Sequence, residues 1–154
     1  MTALDPGAAP LRLTFVVPFP PEPKRRPRVA FHGGKAHAFT PPSSRRAEDR
    51  IRLAVAEQLP DGWEPLSGPL RLDVVAYVQM PQSVPKRRRD TALPARRPDA
   101  VNLAALACDA LTGLVYIDDG QLVDVFARKR YGIPRWELTV SVVVEPSSHS
   151  RPYP

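Results

Sequence analysis

Three carboxylates carry the most chemical promise in this 154-residue chain: Asp99, directly after Pro98, and the pair Asp118-Asp119 ahead of Gly120-Gln121. Hydrolysing a phosphodiester at neutral pH needs an activated water and cover for the charge developing on the phosphate. Clustered carboxylates holding Mg²⁺, or Mn²⁺ in its place, supply both. A helix starting at Asp99 favours a negative group there, because its dipole is positive at that end. A second carboxylate two residues further on would still lie in the first turn, but that position is Val101, which binds no cation. Asp109 is no substitute, since ten residues along a helix is about 15 Å. Taken singly, Asp99 is an ordinary helix cap and Asp118-Asp119-Gly120 an ordinary polar turn; only their spacing points to a shared task.

The elements that must position them follow from pattern. Leu11 to Val17 alternates as a strand, and Pro18, Pro20, Pro21 and Pro23 then enforce an extended arm. Arg28 to Phe31 and Ala36 to Phe39 predict a short hairpin around Gly33-Gly34, with His32 and Lys35 giving it a basic tip. Ser43 or Ser44 is placed to cap a helix running to about Leu59, with Ala47, Ile51, Ala54, Val55 and Leu59 on one face and Glu48 and Asp49 in its first turn. Leu70, Leu72, Val74, Ala76 and Val78 alternate with polar residues, a half-buried strand. Residues 81–98, rich in Pro and cations, form a long basic loop, and loops of that length are functional or disordered.

A second helix runs from Asp99 to about Leu111, with Gly113 as terminator. The Asp pair follows a short strand, and residues 121–130 and 135–144 predict a hairpin around Gly132-Ile133-Pro134. This order packs as an α+β domain over residues 11–145: a small, mostly antiparallel sheet with two helices on one side. The ends, 1–10 and 146–154, are unpatterned and expected to be flexible.

Lys and Arg number 22 against 16 Asp and Glu, a formal charge of +6. The cations cluster as Lys24-Arg25-Arg26 with Arg28, Lys86-Arg87-Arg88-Arg89, Arg96-Arg97 and Arg128-Lys129-Arg130, which favours a polyanion such as nucleic acid. The single Cys108 makes no internal disulfide and fits a reducing compartment. No apolar run approaches a membrane span and no secretory leader is recognisable, so a soluble, cytoplasmic protein is expected. His32, His37 and His149 lack metal-like partners.

The segment Pro98-Asp99-Ala100-Val101-Asn102-Leu103, then Asp109-Ala110-Leu111-Thr112-Gly113, then Asp118-Asp119-Gly120-Gln121 resembles the RusA-type Holliday junction resolvases. Their hallmark is P-D-x-D-N-L-x-K, D-A-L-x-G and D-D-x-Q, and Arg26-Pro27-Arg28 is similar to their early R-P-R. The resemblance covers about residues 11–145. It implies a RusA-like fold and a homodimeric, Mg²⁺-dependent endodeoxyribonuclease that cuts four-way DNA junctions in recombination and repair, without a small-molecule cofactor. Asp99 and Asp119 match the family's first and third catalytic, metal-binding Asp, with Asp118 beside the latter. Asn102 and Lys129 would lie near the DNA or support the site, and the basic blocks would hold the backbone. Val101 and Ala105 stand where the family has its second Asp and its Lys, so a catalytically weak or inactive junction-binding protein on the same fold is the alternative. Phe19, Phe31 and Phe39 read as core or dimer contacts, or as a wedge against a junction's central bases.

Overall fold

The computed structural model describes residues 11–144; the expected flexible ends lie outside that range. β1 (Arg12–Val17) is followed by the Pro-rich arm and by a hairpin of β2 (Arg28–His32) and β3 (Lys35–Phe39). Then come α1 (Pro42–Ala56), β4 (Leu70–Val78), α2 (Ala100–Leu111), β5 (Leu122–Tyr131) and β6 (Arg135–Val142). The sheet order is β1-β6-β4-β5, with β4–β5 parallel and the other two pairings antiparallel. The α+β class and the mostly antiparallel sheet are therefore as expected.

Alternation decides which face is buried. Leu70, Leu72, Val74 and Ala76 of β4 are fully covered, as are Leu138 and Val140 of β6, and Phe15 and Val17 of β1 join them. Over this face lie Ile51 and Val55 of α1 with Leu103, Leu106, Ala107 and Leu111 of α2, one continuous core. Both helices thus sit on one side. The other face is left to Arg71, Asp73, Val75 and Tyr77, all half-buried.

Asp73 is the ionic centre of that face, accepting from Arg71 at 2.8 and 3.1 Å and from Arg128 at 2.9 Å, so it staples β4 to β5. The Arg71 hydrogen bond holds its carboxyl below the usual value, against the opposing effect of burial. A depressed carboxyl stabilises the fold above its unfolded pKa and loses that contribution as pH falls through the folded one. Asp73→Asn should therefore cost about 1–2 kcal/mol at neutral pH and flatten the acid limb of the stability curve below pH ~4, as read by thermal melts across pH.

Several local expectations give way. β5 and β6 are not a hairpin, because β4 lies between them. Gly132 to Pro134 carries the chain across the two inter-strand spacings of roughly 9.5 Å in a three-residue bend, and Gly132 N–H donates to Val78 O at 3.0 Å, closing the end of β4. A Cβ at Gly132 would lie 2.9 Å from the Tyr77 ring, which is why the crossing needs glycine. α1 is capped by Pro41 rather than Ser43 or Ser44, has no acidic residue in its first turn and stops at Ala56. Buried Ser44 instead accepts from Arg25 N–H at 3.0 Å, fastening the arm to α1. No strand precedes the Asp pair: residues 112–117 form a turn with bridges from Tyr116 to Leu66 and Thr112.

Candidate active site and nucleic-acid interface

α2 sets the site. Asp99 is its N-cap, in extended backbone, and its carboxylate caps no helix N–H. It is exposed, and among the described residues its carboxylate accepts from Asn102 Nδ2 alone, at 3.3 Å. An aspartate at a helix start normally satisfies one of the free N–H groups; here it stays available to solvent or a cation. Asn102 works twice, since its carbonyl accepts from Lys24 N–H at 3.1 Å and ties the basic arm to the first turn of α2. Val101 stands 78 % exposed on that turn.

At the other end, Arg52 of α1 donates to the carbonyls of Ala110 and Thr112 at 2.9 and 2.7 Å. A cation here satisfies orphan carbonyls and complements the helix dipole. Arg52→Met should cost about 2 kcal/mol, lowering the melting temperature by roughly 4–8 °C in a thermal denaturation experiment. Thr112 Oγ1 and the buried Tyr116 hydroxyl both donate to Cys108 O at 2.9 Å, pinning the turn that leads to the second pair of carboxylates. Burial pushes the Cys108 thiol up to about 11, so it stays protonated at neutral pH.

Asp118 and Asp119 open a short 3-10 turn, Asp119–Gln121. Asp118 is its cap, accepting from Gly120 N–H at 2.8 Å, while Gln121 Oε1 accepts from Ile117 and Asp118 N–H, both at 2.9 Å. The Gln121 amide donates to Leu66 and Gly68 carbonyls at 3.0 Å, so the turn is clamped to the segment leading into β4. Asp118 is thus largely occupied in holding the turn, and Asp119 is the exposed carboxylate it presents.

Lys24, Asp109, Glu48 and Asp119 form an electrostatic cluster that sequence spacing did not bring together. Lys24 is ion-paired with Asp109. Hydrogen bonding to Asp109 raises its pKa, with Glu48 and Asp119 adding to the negative field. Burial and the Asp109 charge push Glu48 upward. Bound at Asn102 by its backbone and at Asp109 by its ammonium, Lys24 runs along the helical stripe that includes Ala105. Lys129 likewise turns inward, donating to Arg96 O at 2.7 Å, and so anchors the basic loop just before Asp99. By contrast Arg25, Arg26, Arg28, the Lys86–Arg89 block, Arg96 and Arg97 are all exposed, and none is ion-paired among the described residues. Lys86–Arg88 is a 3-10 turn, a local order not expected of the loop.

Among the described residues, no three His, Cys, Asp or Glu side chains gather closely enough to hold one ion. No helix of the described residues is long and apolar enough to cross a membrane. The family model of the endodeoxyribonuclease RusA matches residues 18–141, spanning the arm, both helices and all of the site. The chain belongs to the RusA family. A RusA-family scaffold accounts for the α+β core. The chain is also similar to an uncharacterised Bacillus subtilis (strain 168) protein, YqaN, 32% identical over 139 residues that cover 85% of this chain and 96% of that relative. RusA membership makes this a Holliday junction resolvase-like endonuclease at the level of the family.

Proposed function

We propose that this chain is a Mg²⁺-dependent, structure-specific endodeoxyribonuclease that binds four-way DNA junctions as a homodimer in the cytoplasm, and whose cutting is held back by Val101 and Ala105. The observation that carries the reading is the uncapped, exposed Asp99 at the head of α2, directly behind a basic loop that Lys129 fastens in place. Mg²⁺ is commonly held by one or two carboxylates, the remaining positions going to water and substrate phosphate. Asp99 and Asp119 would be the carboxylates that hold it, with water and phosphate filling the remaining positions; no third acidic side chain gathers with them among the described residues. When bound, the ion would lower the pKa of a water and offset phosphate charge.

The protein's own residues do the rest. Asn102 orients Asp99, the Gln121 clamp holds Asp119, and Arg25, Arg26, Arg28, Lys86 to Arg89, Arg96 and Arg97 take the phosphate backbone. Such contacts set position and affinity rather than sequence preference. A two-fold dimer matches the two-fold symmetry of a junction and would nick it on paired strands. A second reading, a junction-binding protein without efficient cleavage, draws on one observation: the exposed position beside Asp99 that the family fills with Asp is Val101.

The test is strand scission of an end-labelled four-way junction by the purified chain with Mg²⁺ or Mn²⁺, beside an EDTA control. Slow nicks near the branch that vanish in EDTA support the first reading. Junction binding without nicks favours the second, and cutting that persists in EDTA contradicts the metal-dependent mechanism.

A further inference from the structure

The β2–β3 hairpin carries an apolar surface that no other element of the described fold pairs with. Its two strands pair only with each other, and all ten of their residues are exposed. The register places Val29 opposite Ala38 and Phe31 opposite Ala36, so by strand alternation these four make one wholly apolar face. Arg28, His32, Lys35 and His37 lie on the reverse. Phe31 is 79 % exposed and Val29 59 %. An isolated two-stranded hairpin is marginal in water, and an exposed apolar patch of this kind marks a surface that something else covers.

Charge decides between occupants. From Glu22 to Glu48 the chain has no intervening Asp or Glu, yet seven Lys and Arg. Packing this face on its copy in a second chain would bring two such cationic segments near each other, a like-charge juxtaposition that costs binding energy even though Arg28, His32, Lys35 and His37 point away from the contact. A polyanion has the opposite sign. In linear duplex, however, base faces are hidden in the stack, and apolar side chains reach them only where the stack is interrupted. The hairpin is also rooted beside the carboxylates: four residues before it begins, Lys24 N–H is held by Asn102 in the first turn of α2, and Pro41, just after it, caps α1.

We propose that the apolar face of the β2–β3 hairpin, led by Phe31, stacks on base faces exposed at the DNA branch point and gives the protein its preference for branched over linear DNA. The inference rests on the junction-binding reading above and assigns the recognising element within it. Phe31→Ala should weaken binding to a four-way junction by about 5- to 150-fold, the effect of removing one aromatic–base stack, while affinity for a linear duplex changes by less than about twofold. Because Phe31 lies outside the core, melting should be unaffected. Phe31→Trp should keep the preference, and its emission should be quenched by junction but not by duplex.

If Phe31→Ala binds junction as tightly as the parent, the inference falls while junction binding stands. If the parent itself shows no preference for junctions, the underlying reading falls with it. If Phe31→Ala turns a dimer into monomers in sedimentation, a second copy is the occupant and the proposal is overturned.

Discussion

Val101→Asp combined with Ala105→Lys is expected to accelerate junction cleavage by about 10⁴-fold. A missing metal ligand or phosphate-directed cation costs about 2–4 kcal/mol of transition-state stabilisation, or ~10² to 10³ in rate. The two act in one site, so their effects multiply only in part. Position 101 accepts the change easily: it is 78 % exposed, so an Asp there pays little desolvation, and the α2 N-terminus favours its charge. Position 105 is half-buried on the stripe that Lys24 crosses, where an added Lys would gain Asp109 one turn on as an i,i+4 partner. Single-turnover assays on labelled junction should show Val101→Asp alone recovering part of the rate and the double variant the rest. A parent protein that cuts as fast as the double variant would show that these positions do not limit it.

The second large effect concerns affinity. Replacing Lys86, Arg87, Arg88 and Arg89 by Gln should weaken DNA binding roughly tenfold near 0.1 M salt for each phosphate left without its cation, because each such pairing contributes about 0.9 to the slope of log K against log salt. All four are exposed, so the fold should be indifferent. Fluorescence anisotropy titrations over a range of salt would report both quantities. An unchanged slope would mean that this turn faces away from the DNA, despite its tether through Lys129 to the strand beside α2.

The residues that announced the site were legible because their roles are local. Asp99 as a helix start, Gly113 as its end, Gly33-Gly34 as a hairpin turn and the alternation of β4 all depend on neighbours within a few positions, and each stands where the sequence puts it. Even the Gln121 clamp follows capping-box spacing from Asp118. What escaped was non-local. Nothing near Gly132 says that β4 will insert between β5 and β6, since hairpin and crossover links of three residues look alike in sequence. Lys24 and Lys129 are typical phosphate-binding cations by type, yet both reach partners inside the protein, Asp109 and Arg96 O, 85 and 33 residues away. Ser44 resembled a cap because Ser prefers that role, but the helix begins earlier, at Pro42, and its hydroxyl serves the arm.

Branched DNA is the ligand proposed for this surface. Competing a fluorescent four-way junction against unlabelled linear duplex of the same sequence for the unaltered chain, in EDTA so that no strand is cut, decides whether that preference exists. Duplex should displace junction only at an excess of about tenfold or more, consistent with the absence of one base stack in the duplex complex. Displacement at equal concentrations of base pairs would contradict it, and with it both readings of the function.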